Sequence, residues 1–134
     1  MAAQIIDGAA LARHTLGGLK ARVAALASRG VTPSLATVQV GDDPASRIYI
    51  RNKVRACAEA GVESVHHDLP VNSTEADVLR LIEQLGRDPR VHGVIVQLPL
   101  PKPLDARRIS QSIPLEKDVD GFNWRNLGAL VEDR

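Results

Sequence analysis

Apolar and polar residues follow one another along this chain with two different periods, and the switches between them predict an ordered series of elements. Leu11, Leu16, Leu19, Val23 and Leu26 recur mostly three or four residues apart, with Arg13, Lys20, Arg22 and Arg29 between them. This spacing predicts an amphipathic helix over residues 9–28, closed by Gly30. Pro33 introduces a β-rich run over residues 35–40, which ends at Gly41. Asp42 or Asp43 can cap the next helix, Pro44 fits its first turn where no N–H is needed, and Gly61 ends it. Residues 62–69 alternate loosely as a second strand, followed by Pro70 and a polar turn at Asn72. Ser73 or Thr74 can cap a third helix, whose Val78, Leu81, Ile82 and Leu85 fall at i, i+3, i+4 and i+7, and Asp88-Pro89 breaks it. Residues 93–97 form a run apolar enough for a buried parallel strand, which predicts the centre of the sheet. Pro99, Pro101 and Pro103 stiffen the loop that leaves it, and a short helix is expected around residues 106–112.

Helix, strand, helix, strand, helix, strand is the order of an α/β fold with parallel strands, right-handed crossovers and helices on both faces of the sheet. The expected architecture is a three-layer αβα domain with a mostly parallel sheet. Ligands of such sheets bind at the carboxyl ends of the strands, where Gly41 and Gln97 both fall.

Composition narrows the class without naming a function. The 134 residues make one domain, 44% hydrophobic and 25% charged, with Tyr49, Phe122 and Trp124 as its aromatic rings, so the core is aliphatic. A formal net charge of +1 with scattered basic residues gives no footprint for nucleic acid or an anionic membrane. No window has the length of a membrane span or the layout of a secretory leader, and Cys57 is a lone cysteine whose expected role is packing. A cytoplasmic protein with a small ligand is expected.

Candidate chemistry gathers at the ligand edge. Tyr49 and Lys53 stand one turn apart on the same helix face, a ring beside an amine. A lysine acts as a general base when burial or nearby positive charge lowers its pKa, but helix lysines are ordinarily just solvated. Tyr49 can stack on a ligand ring or pack with its hydroxyl in water. Gln97 can orient a lysine or a water, or tie down the proline-rich loop. Asp118 and Asp120 invite a calcium reading, yet Ala129 stands where the closing glutamate belongs, so no metal is expected. An aspartate here can instead accept hydrogen bonds from the amidine-like edge of a 2-aminopyrimidinone ring, or make an Asx-turn. His66 and His67 point to opposite faces of a strand and cannot share a metal. The dinucleotide glycine fingerprint is missing, and Asp42 and Asp43 would repel a phosphate at the Gly41 turn.

Three ordered motifs carry a resemblance: Val40-Gly-Asp-Asp-Pro-Ala-Ser-Arg-Ile-Tyr-Ile-Arg-Asn-Lys53, Gly93-Val-Ile-Val-Gln-Leu-Pro-Leu-Pro-Lys-Pro-Leu104, and Pro114-Leu-Glu-Lys-Asp-Val-Asp-Gly-Phe122. The chain resembles the bifunctional methylenetetrahydrofolate dehydrogenase/methenyltetrahydrofolate cyclohydrolase family from residue 5 to residue 128. The resemblance implies that residues 1–134 are the folate-binding catalytic domain and that the family's Rossmann NAD(P)-binding domain is absent from them. It implies Lys53 as the catalytic lysine and, grouped with it, Gln97 to tune and position the amine. Tyr49 would stack on the folate, Asp120 would hydrogen-bond the pterin edge, and Ser46 would support the site. Family members oxidise 5,10-methylenetetrahydrofolate with NADP or NAD and hydrolyse the methenyl product to 10-formyltetrahydrofolate. Cyclohydrolase chemistry is the part expected of this domain alone, with no cofactor bound by this chain itself. Lys102, Trp124 and Ala129 depart from residues frequent in the family. A monomer is expected here, although family members often pair.

Two rival functions come from other classes, a folate-binding fragment without turnover and an interaction module needing a partner domain. A short-chain dehydrogenase dyad is a further reading of Tyr49 and Lys53, but the 48 residues before Tyr49 supply no glycine-rich nucleotide turn.

Overall fold

A computed structural model of the protein describes residues 5–132. Along the chain come α1 (Gly8–Ala27), β1 (Ser34–Val40), α2 (Pro44–Ala60), β2 (Glu63–Leu69), α3 (Glu75–Arg87), β3 (Gly93–Val96), α4 (Ala106–Gln111), a 3-10 turn (Leu115–Lys117) and α5 (Trp124–Val131). The three strands form one parallel sheet in the order β2-β1-β3. Ser34 to Val40 pair in register with Glu63 to Leu69, and Leu35 to Val38 with Gly93 to Val96.

Local chemistry accounts for the helix boundaries. Of the two candidate caps for α2, Asp43 takes the role, accepting from the Ser46 amide at 2.8 Å, while Asp42 pairs with Arg47 at 3.1 Å. Gly61 ends α2 in the left-handed region, at φ 82°. Thr74 caps α3 in a reciprocal box with Asp77, and Asp88 is its C-cap residue. Replacing Thr74 with alanine is expected to cost about 1 kcal/mol, read as a lower urea midpoint at unchanged slope.

The expected position of the third strand is corrected. β1, not β3, is the centre of the sheet, and β3 pairs only with β1 on one side. All four β3 residues are nevertheless buried, because both faces are covered and a bridge from Val94 to Asp118 closes part of the outer edge. An unbroken apolar run reports burial of the two faces, not rank within the sheet.

The two faces of the sheet differ in chemistry. Ala36, Val38, Val40, Val94 and Val96 meet Val78, Ile82, Leu85 and Ile109 of α3 and α4 in an aliphatic core. The opposite face, under α2, carries buried Thr37 and Gln39 beside Ile95. α1 packs beside α2, where Lys20 reaches Glu59 at 3.1 Å. Its apolar stripe is only partly used: Val23 is buried, whereas Leu11 and Leu19 are exposed. α5, which the apolar pattern did not predict, is capped by Asn123 and buries no residue fully. No helix among the described residues is long and apolar enough to cross a membrane.

Three aspartates tie these turns to pH. Hydrogen bonds from Ser46 and Thr74 hold the Asp43 and Asp77 carboxyls below their usual range, and Arg90 holds Asp88 at about 2. Their folded values lie below the unfolded value of about 4, so this stability is complete above that pH and is lost as pH falls toward 2. Urea midpoints measured down an acid series are expected to decline through that window.

Candidate active site

α2 and the end of β3 set the site. Along one face of α2 the helical period places Ser46, Tyr49, Ile50, Lys53 and Cys57 in succession. Strand alternation turns Gln97 to the same side of the sheet as Ile95 and Thr37, the side that α2 covers, and the Gln97 amide extends the ladder to the Val38 carbonyl at 2.8 Å. The two side chains meet there: Lys53 Nζ donates to Gln97 Oε1 at 3.1 Å.

The amide is not free to turn. Gln97 Nε2 donates to the Leu98 carbonyl at 2.9 Å, which leaves Oε1 facing the lysine. Ser46 Oγ donates to the same carbonyl at 3.3 Å. Ser46 is 2% exposed, so its hydroxyl fastens the exit loop to α2 and does not face open space. Leu98 contributes through its backbone, a role that no side-chain pattern announces.

Tyr49 lies one turn before Lys53 with 63% of its surface exposed, and it makes no hydrogen bond to a described residue. A bare ring beside an amine at the sheet's ligand edge offers a stacking platform. Cys57, one turn beyond Lys53, is half-buried, and burial pushes its thiol up against the opposing charge of Lys53. A reactive thiolate is not what this position favours.

The two aspartates of the Asp-Val-Asp-Gly stretch divide their roles. Asp118 is buried and accepts hydrogen bonds from its own loop. Asp120 is a surface residue whose carboxyl accepts no hydrogen bond from a described residue. Partial desolvation raises its pKa, opposed by the nearby Lys53 charge and reinforced by Asp118. Lys53, Gln97, Tyr49 and Asp120 are thus brought to one edge, while Ser46 stands behind them.

A broad groove lies elsewhere. It holds about 1150 Å³ on the other flank of α2, between Arg47, Arg51, His66 and Val71, and none of the four site residues lines it. His66 faces this groove, paired with Asp68 at 2.8 Å, whereas His67 faces the α3 side, as strand alternation requires. Among the described residues no group of three or more His, Cys, Asp or Glu side chains is placed to hold a metal ion.

A three-layer parallel α/β domain that presents a lysine–amide pair, a bare aromatic ring and an unpaired carboxylate at the strand ends defines a small-molecule catalytic domain. Residues 6–120 match the family described as tetrahydrofolate dehydrogenase/cyclohydrolase, catalytic domain, and the chain belongs to that family. It is 52% identical over 131 residues to the bifunctional protein FolD of Bordetella bronchiseptica, covering 98% of this chain and 46% of that protein. The solved 5,10-methylenetetrahydrofolate dehydrogenase of the silkworm Bombyx mori superposes with a TM-score of 0.93 at 40% identity, over 98% of this chain and 46% of that one. The Trypanosoma brucei methylenetetrahydrofolate dehydrogenase-cyclohydrolase, solved with NADP and an inhibitor, gives 0.91 at 34% identity, over 98% and 46%. The chain therefore spans about half the length of the curated relatives it matches.

Proposed function

We propose that this domain binds a one-carbon tetrahydrofolate and carries out the hydrolytic step, the conversion of 5,10-methenyltetrahydrofolate to 10-formyltetrahydrofolate. The observation that carries the reading is the 3.1 Å bond from Lys53 to Gln97 beside the exposed ring of Tyr49. Tyr49 stacks on the substrate's flat ring system, and Asp120 accepts hydrogen bonds from the amino-pyrimidinone edge. Water then attacks the amidinium carbon between N5 and N10, and Lys53, as the neutral amine, takes the proton that water loses. Collapse of the tetrahedral adduct breaks the carbon–N5 bond, the hydroxyl proton passes to N5, and the formyl group stays on N10. One proton is released overall, balancing the lost positive charge. Gln97 holds the amine in place throughout.

A dehydrogenase step needs a nicotinamide cofactor, and the residues present do not fit one. The candidate phosphate-binding junction, the Gly41 turn into α2, presents Asp42 and Asp43, and the Asp43 carboxylate already occupies the Ser46 amide. Hydride transfer from a folate held here would need a nucleotide-binding domain to bring NADP or NAD to it. We place the chain in the cytoplasm, where a reduced Cys57 is at home, and expect a monomer, which light scattering across a concentration series checks.

The exposure of Tyr49 supports a second reading, binding without turnover, because an open site does not exclude bulk water. Steady-state hydrolysis followed by loss of the methenyl absorbance, beside a titration with 5-formyltetrahydrofolate, separates the two. Hydrolysis above the buffer rate supports the enzyme, saturable binding without it supports the second reading, and neither contradicts both. Binding is also expected to weaken on acidification at a pH above the ordinary aspartate range, since Asp120 accepts a proton there and its pKa is raised. Asp120→Asn should abolish that pH dependence.

A further inference from the structure

We propose that Asp118 is the positioning residue of this site: its buried carboxylate gathers the loop after it into one conformation and thereby fixes where the Asp120 carboxylate stands. The role rests on the folate reading above, in which Asp120 holds the pterin edge.

Asp118 is 9% exposed and both of its oxygens are spoken for. Oδ1 accepts from the Gly121 and Phe122 amides at 3.1 and 3.3 Å. Oδ2 accepts from the Asn123 amide at 2.8 Å and from Asn126 Nδ2 at 3.0 Å. Four donors on one buried carboxylate leave it nothing to offer a ligand, so its work is internal. It draws three consecutive backbone amides toward one point, a turn that Gly121 completes at φ +69°.

The loop is also fastened at its margins. Asp118 bridges Val94 on β3, the strand that leads directly into Gln97, so the loop and the amide share one support. Asn123 is buried, caps α5 by accepting from the Arg125 amide at 3.1 Å, and donates toward the Gln111 and Ile113 carbonyls. Asn126 donates to the Leu115 carbonyl at 3.1 Å as well as to Asp118. Asp120 stands between Asp118 and Gly121, inside the segment these bonds hold. Its own carboxylate accepts no hydrogen bond from a described residue, and its direction comes from its neighbours. An aspartate placed in this way meets a ligand with no loop ordering left to do at binding.

Asn126→Ala and Asp118→Asn test this in the whole chain. An asparagine at 118 keeps the shape but has one acceptor oxygen, so two of the four donors lose their partner. Faster amide hydrogen exchange at Gly121, Phe122 and Asn123 is expected in both variants, with the larger change in Asp118→Asn. Binding of 5-formyltetrahydrofolate should weaken about tenfold in Asp118→Asn, the equivalent of one broken charged hydrogen bond. In an Asp120→Ala background the same substitution should weaken binding no further, because it acts through a group already gone. For hydrolysis, KM should rise more than kcat falls. Ile82→Val, a core variant remote from the loop, serves as the stability control and should leave binding unchanged.

Equal losses from Asp118→Asn with and without Asp120 would overturn the proposal, since they would mark a general structural effect. Unchanged exchange at residues 121–123 would overturn it as well. Should Asp118→Asn fail to fold, Asn126→Ala carries the same expectations at smaller size. Failure of the unsubstituted chain to bind the folate would instead overturn the folate reading and with it the functional half of this proposal, while the exchange data would still decide whether Asp118 holds the loop.

Discussion

Lys53→Met is expected to lower the rate of methenyl hydrolysis by about 10²–10⁴-fold, the usual contribution of a positioned acid–base group, and so to bring it close to the buffer rate. Methionine keeps the unbranched apolar stem that runs along α2 and removes only the amine. Lys53 is half-buried and, among the described residues, bonds Gln97, so thermal stability should change little. Tyr49 and Asp120 remain in place, so 5-formyltetrahydrofolate should still bind. A fall in rate with binding retained assigns the amine to chemistry, whereas equal losses of both would make Lys53 a binding group. Gln97→Ala should give a smaller fall, because it frees the amine without deleting it.

Ile82→Ala is the substitution expected to cost most in stability, about 2–5 kcal/mol. Ile82 is fully buried on α3 and faces Val38 and Val94 across the aliphatic side of the sheet. Its loss leaves a cavity among strand residues that the hydrogen-bonded ladder keeps from closing in. Ile82→Val removes one methylene and should cost only about 0.5–1.5 kcal/mol. Urea midpoints of the two variants check the pair. α2 and the site lie on the other side of the sheet, so folate affinity per folded molecule should be the same in both. A binding loss in Ile82→Val would contradict the separation of the two faces.

What was legible in the sequence is local in origin. Asp43, Pro44 and Gly61 mark both ends of α2 by their own backbone and side-chain preferences, and Thr74 with Asp77 marks the start of α3. The two periods, 3.6 along a helix and 2 along a strand, placed Lys53 and Gln97 at the same edge, but their pairing was implied only by the family resemblance, and the 3.1 Å contact is seen in the structure. The rank of β3 in the sheet is not local. It depends on which way the crossovers turn and on a bridge to Asp118, far along the chain from Val94, and the apolar run is the same whether a strand is central or flanked by such a segment. α5 carries Trp124, Leu127, Leu130 and Val131 at helical spacing, but its eight residues are too short a run for the period to stand out and that stripe is exposed; Asn123, its cap, was a further available signal. The apolar face of α1 was legible as a pattern, but a pattern does not say what covers it, and Leu11 and Leu19 remain exposed. Within the candidate site, Asp118 and Asp120 are chemically alike on paper. Only the path of the loop shows that one carboxylate is consumed by backbone amides and the other stands free.

Single-turnover hydrolysis of 5,10-methenyltetrahydrofolate, with this chain in excess over substrate, is the most direct measurement of the claim that Lys53 and Gln97 form a working hydrolytic site. Excess protein removes product release from the observed rate. The account predicts a rate that climbs with protein concentration to a plateau and collapses in Lys53→Met. A rate equal to buffer at every concentration, or the same plateau in Lys53→Met, would contradict it.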